Sequence, residues 1–128
     1  MKELGKQLIV ELYGCDSTQI NDLKNVENTM LEAARVAKAT VIEHKFHKFA
    51  PHGISGVLII AESHFAIHTW PEFGYCAVDI FTCGDLTDNS AALDVMKAGF
   101  KASYYSAIEM KRGLLNLPDD QIKHKPGA

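Results

Sequence analysis

Residues Ile54 to Trp70 read ISGVLIIAESHFAIHTW, an apolar run of strand length that is broken by Glu62-Ser63-His64 and then resumes. An unbroken strand puts Ser63 and His68, five positions apart, on opposite faces and roughly 17 Å from each other at about 3.4 Å per residue. A turn over Glu62 to Phe65, with a strand returning through Ala66 to Trp70, is the arrangement expected to bring them together. Any joint chemistry of the two residues therefore needs a hairpin here.

Upstream, Gln7 to Tyr13 (QLIVELY) reads as a strand stopped by Gly14. Asp16, Ser17 and Thr18 are each capable of capping a helix over Thr18 to Ala39, where Ile20, Leu23, Val26, Met30, Ala34 and Ala37 recur at helical spacing. Thr40 to Phe49 is the next strand, followed by Ile54 to Ala61. Downstream, Gly74 to Cys83 is a strand with Tyr75, Ala77, Asp79, Phe81 and Cys83 on one face and Cys76, Val78, Ile80 and Thr82 on the other. A second helix opens at Asp88, Asn89 or Ser90 and runs to Ala102, with Leu93, Met96, Gly99 and Phe100 on its apolar side; Ser103 to Lys111 returns as a strand. The order β-α-β-β-β-α-β predicts an α+β two-layer sandwich, an antiparallel sheet with both helices on one face. Its other face, if apolar, needs a cover, and the simplest is a second copy of the sheet.

The 128 residues, 47% hydrophobic and 23% charged, suit one soluble domain that holds its core without disulfides or metals. That domain is expected over residues 1–117, with 118–128 as a frayed tail. A net charge of −3 without a basic stripe argues against nucleic acid. Gly53 to Ala61, the longest stretch of the apolar middle free of charge and histidine, is about half of what crosses a bilayer. The opening MKELGKQLIVELYG does not read as a secretion signal, so the expected location is cytoplasmic.

Cys15, Cys76 and Cys83 form no C-x-x-C pair, which disfavours a disulfide framework or a zinc ribbon. Five of the six histidines fall between His44 and His68. No clean triad with cysteine or carboxylate shares a face, and His44 and His47 point opposite ways on a strand, so no metal is expected. Cys83 beside His68 is a possible thiolate pair for acyl transfer. On spacing alone, Ser63 is better explained as a turn hydroxyl, His68 as a sheet histidine and Cys83 as a free thiol at a strand end.

Phe46 to Asp85, FHKFAPHGISGVLIIAESHFAIHTWPEFGYCAVDIFTCGD, resembles the core of the bacterial and archaeal S-adenosylmethionine decarboxylases, the short pyruvoyl-dependent form. The resemblance rests on GISGV, ESH, IHTWPE and DIFTCG in that order, together with the opening GKQLIVELYGCD; Cys76 stands where a small residue such as alanine is expected. It implies a proenzyme in which the Ser63 hydroxyl attacks the Glu62 carbonyl. Cleavage then gives chains 1–62 and 63–128, the second beginning with a pyruvoyl group that forms a Schiff base with S-adenosylmethionine. Carbon dioxide leaves, and the product is the decarboxylated aminopropyl donor of spermidine synthesis. In this reading His68 is the base for processing, Ser55 assists it, and Cys83 returns the proton. Phe49 offers an aromatic face to adenine and Glu72 a carboxylate to the ribose hydroxyls. The resemblance calls for neither metal nor pyridoxal phosphate, and implies a homodimer of processed protomers, two alpha and two beta chains, with sites near the interface. A same-fold decarboxylase of arginine or ornithine is the rival enzyme, and a non-catalytic regulatory subunit the rival of another class. Phe49 and Glu72 favour the nucleoside, whereas Ser63, His68 and Cys83 together favour catalysis.

Overall fold

Alternation along each strand sorts side chains onto two faces, and hydrogen bonding joins the strands into one sheet. The computed structural model describes residues 2–83 and 87–123. Its strands β1 (Gly5–Tyr13), β2 (Val41–Lys48), β3 (Ile54–Ile60), β4 (Ser63–Trp70), β5 (Tyr75–Thr82) and β6 (Tyr104–Arg112) lie in the order β2-β3-β4-β5-β1-β6. Every neighbouring pair is antiparallel. Helices α1 (Leu23–Val36) and α2 (Asn89–Gly99) cover one face, where Val26, Met30, Ala33, Leu93 and Met96 bury Val10, Leu12, Leu58, Phe65, Ile67, Val78 and Ile80. On β5 the expected alternation holds: Cys76, Val78, Ile80 and Thr82 are buried, while Tyr75, Ala77, Asp79 and Phe81 are half-buried on the other face.

The α+β two-layer arrangement is the expected one, with one strand more than β-α-β-β-β-α-β. The returning strand begins at Ser63 rather than Ala66, because Phe65, Ile67 and Thr69 already alternate into the core from there. The first helix is shorter than the periodicity predicts. A 3₁₀ turn, Gln19–Asn21, carries Ile20 into the core, and Asp22 then turns extended to cap α1, its carboxylate accepting from the Asn25 amide at 3.0 Å. Asp16 serves the 3₁₀ turn instead, accepting from the amides of Thr18 and Gln19. Asp88 caps α2 through the Ala91 amide at 3.0 Å.

Beyond Leu117, a 3₁₀ turn at Asp119–Gln121 leads to Ile122, which is buried; residues 124–128 of the expected tail lie outside the described residues. Among the described residues no helix is long and apolar enough to cross a membrane.

Gly56 is required by packing. A Cβ added there would lie 2.1 Å from the Phe46 ring, which crosses β3 on the helix side. Gly56→Ala is expected to cost about 1–3 kcal/mol through forced displacement of that ring. The denaturant midpoint measures it; an unchanged midpoint would refute the packing account.

Among the described residues nothing forms a second layer on the face away from the helices, although Ile9, Ile59, Trp70, Tyr104, Ile108 and Met110 are exposed on it. A row of rings, Trp70, Tyr75, Tyr13 and Tyr104, crosses one end of this face with centroids 5.3, 5.6 and 5.0 Å apart.

Candidate active site

The turn between β3 and β4 is held from both sides. The Glu62 side chain is buried and its Oε1 accepts from the Thr40 amide at 3.0 Å, while the Glu62 carbonyl accepts from the Cys83 amide at 2.7 Å. With its predecessor clamped, Ser63 enters β4 at a φ of 147°, a region where a side chain is strained. Its hydroxyl lies 3.3 Å from the Cys83 thiol, which leaves β5 opposite the turn and is 5% exposed. A nucleophilic oxygen, a fixed carbonyl and a thiol thus meet at one end of the sheet.

A second cluster occupies the other end of β3 and β4. Ser55 and His68 are register partners, and the Ser55 Oγ lies 2.7 Å from His68 Nδ1. They share a cavity of about 210 Å³ with Phe49, His52, Trp70 and Glu72. Phe49 is half exposed, with the His47 ring edge-on to it at 4.6 Å. Glu72 sits in a 3₁₀ turn, Pro71–Phe73. Its carboxyl is held below the usual range, first by its own backbone amide and then by His52, whose Nε2 is 2.9 Å from Glu72 Oε2. The wall of this cavity is tied to the chain before α1. The Thr69 hydroxyl accepts from the Ile54 amide and donates to the Ile20 carbonyl, and Asn21 Oδ1 accepts from the Gly53 amide.

The two clusters are separate within one chain. The turn falls at Ala61 and Glu62, ahead of Ser63, so Ser63 and His68 occupy the same extended strand, in register with Thr82 and Ala77 respectively. Five residues of rise keep them about 17 Å apart. The expectation that the hairpin brings Ser63 to His68 is therefore overturned: the hairpin forms, but both residues are on its second arm. The proposed Cys83–His68 pair fails for the same reason, since Cys83 lies six positions beyond Ala77, the partner of His68. Of the other described histidines, His44 faces Glu27 at 3.5 Å, and His64 stacks on Phe81. Among the described residues no three His, Cys, Asp or Glu groups converge.

Sequence reasoning missed His52, although it stands inside the histidine-rich window. It also missed the group beside Ser63 formed by Gln7, Phe81 and Arg112. Arg112 had no sequence signal, because only the register of β6 against β1 carries it there.

A family model described as S-adenosylmethionine decarboxylase matches residues 6–113. The chain belongs to the S-adenosylmethionine decarboxylase family. An S-adenosylmethionine decarboxylase proenzyme from Acidithiobacillus ferrooxidans (strain ATCC 53993 / BNL-5-31) is 46% identical over 98% of this chain and 97% of its own length. Another from Pseudomonas paraeruginosa is 54% identical over 87% of this chain and 69% of its own. The crystal structure of the adenosylmethionine decarboxylase of Aquifex aeolicus VF5 superposes with a TM-score of 0.85 at 32% identity, covering 94% of this chain and all of that one. This S-adenosylmethionine decarboxylase family member carries the parts of its candidate site in two places along the chain, both within the matched range.

Proposed function

We propose that the chain is a proenzyme that cuts itself between Glu62 and Ser63, then decarboxylates S-adenosylmethionine as a homodimer. The observation that carries this reading is the clamped Glu62 carbonyl beside a strained Ser63 whose hydroxyl contacts Cys83. Ser63 Oγ attacks the Glu62 carbonyl carbon, and the peptide nitrogen leaves, giving an ester with a free amine. The Cys83 amide already hydrogen-bonds the oxygen on which negative charge develops. Removal of the Ser63 Cα proton expels the Glu62 carboxylate, and water then replaces the amine, released as ammonia. The ketone left at residue 63 supplies the electron sink for decarboxylation without an added cofactor. The residues present fit that origin, because rupture at residue 63 relieves its backbone strain.

His68 is the base for that Cα proton, and Ser55 orients its ring through the 2.7 Å contact. The 17 Å separation means that they act on the Ser63 of a second copy. In a two-fold pair facing sheet to sheet with the β4 strands antiparallel, the Ser63 end of each copy lies over the His68 end of the other. The same contact covers Ile9, Ile59, Ile108 and Met110. Each complete site then takes Ser63 and Cys83 from one copy and Ser55, His68, Phe49 and Glu72 from its partner. After cleavage the assembly holds two alpha and two beta chains. Cys83, nearly buried against residue 63, returns the proton to the substrate carbon. We infer that the protein works in the cytoplasm.

The nucleoside is supported by Phe49 and Glu72 at one cavity: the ring stacks on adenine and the carboxylate accepts two ribose hydroxyls. Phe49→Ala and Glu72→Ala are each expected to cut kcat/KM for S-adenosylmethionine at least about tenfold while leaving cleavage intact. Release of labelled carbon dioxide from carboxyl-labelled S-adenosylmethionine, arginine and ornithine tests the substrate. Release from either free amino acid alone overturns the nucleoside reading.

A further inference from the structure

The cavity next to Ser63 holds a fixed positive charge that neither processing nor nucleoside recognition uses. It has a volume of about 360 Å³ and is lined by Gln7, Ser63, His64, Phe81 and Arg112. Arg112, at the end of β6, is held there from two directions. Its Nη1 donates to Gln7 Oε1 at 2.6 Å, and its guanidinium lies over the Phe81 ring, 5.8 Å from the centroid. Gln7 is oriented in turn by Asp79, whose Oδ1 accepts from Gln7 Nε2 at 3.4 Å. The neutral Gln7 uses its carbonyl on one guanidinium nitrogen, so the cation keeps donors for a further acceptor.

We propose that Arg112 is a substrate-positioning residue that receives the α-carboxylate of the substrate, the group lost as carbon dioxide. The inference rests on the reading that the substrate amine is carried at residue 63. The carboxylate then sits one carbon from that amine and falls within the cavity that Ser63 lines. A guanidinium matches a carboxylate in charge and in its planar pair of donors. Aligning that carboxylate fixes which bond to Cα is broken. Carboxylate recognition by Arg112 is a binding contribution made before the charge is dispersed, so its removal weakens binding more than turnover.

The decisive comparison is between substrate and product, which share nucleoside, sulfonium and amine and differ in the carboxylate. Processed wild-type enzyme, Arg112→Gln and Arg112→Lys are assayed for KM and kcat with S-adenosylmethionine and for inhibition by its decarboxylated product. Arg112→Gln is expected to raise KM about ten- to a hundredfold, with the product inhibition constant unchanged within twofold, and Arg112→Lys to recover part of the loss. An unchanged KM overturns the proposal. So does a parallel rise of KM and product inhibition constant, the pattern of a residue that only supports the fold or the new Glu62 terminus. If Arg112→Gln is not cleaved, processed Arg112→Lys is compared with the wild type instead, and a rise of KM at an unchanged product inhibition constant is again the expected result, an unchanged KM or a parallel rise the overturning one. Wild-type enzyme that releases no carbon dioxide from S-adenosylmethionine defeats the functional reading itself, an outcome visible before any variant is compared.

Discussion

Ser63→Ala is expected to remain a single chain of 14.1 kDa with no decarboxylase activity, whereas the wild type separates into two fragments under denaturing, reducing conditions. The fragments should be residues 1–62 and 63–128, the second lighter by one ammonia than its sequence requires, because the serine amine is lost when residue 63 becomes a ketone. The effect is all or none, since alanine has no oxygen to form the ester and no leaving group to eliminate. The fold should survive. The clamps on the turn are the Glu62 carboxylate on the Thr40 amide and the Cys83 amide on the Glu62 carbonyl, and neither uses the Ser63 side chain. Thermal unfolding of Ser63→Ala therefore serves as the control for an intact precursor. Cleavage that persisted in Ser63→Ala, or a wild type that stayed whole, would remove the self-processing chemistry and favour a binding or regulatory subunit.

Much of the fold is legible because period and burial agree. The β5 stretch Tyr75 to Thr82 alternates without exception and is read within a residue at each end, and Asp88 stands where a cap is needed, so the start of α2 is read correctly although the helix ends at Gly99, three residues before the expected Ala102. Thr18 to Ala39 misleads because Ile20 keeps the helical spacing although its backbone belongs to a 3₁₀ turn; burial sets the side chain, and the Asp22 cap sets the break. The residues of the candidate site are legible as a set through the resemblance, but their division is not. That depends on whether the turn precedes or follows Ser63, a shift of a few residues that decides between a site within one chain and one shared by two. Periodicity leaves that point open, because Glu62-Ser63-His64 is polar throughout, and the clamping of Glu62 by Thr40 and Cys83 is a long-range event. Arg112 is hidden for the same reason: it reaches Ser63 only through the pairing of β6 with β1 and of β1 with β5.

The division of the site carries the second large expectation. His68→Ala alone should fail to cleave, because neither copy of its dimer offers the base, and Ser63→Ala alone lacks the nucleophile. Produced together, the two should complement: in a mixed dimer the His68→Ala chain supplies Ser63 and Cys83, while the Ser63→Ala chain supplies His68 and Ser55. Random pairing at equal amounts puts about half of the His68→Ala chains in mixed dimers, so about half of those chains should be cut and no Ser63→Ala chain should be. Distinct mass tags on the two chains identify which is cleaved. His68 is exposed and its hydrogen bond is to Ser55, so the substitution leaves the core untouched. A site within one chain predicts no cleavage in the mixture, and that result would end the shared-site account. Cleavage of the His68→Ala chain alone would show that the 17 Å between Ser63 and His68 along β4 is bridged by the second copy.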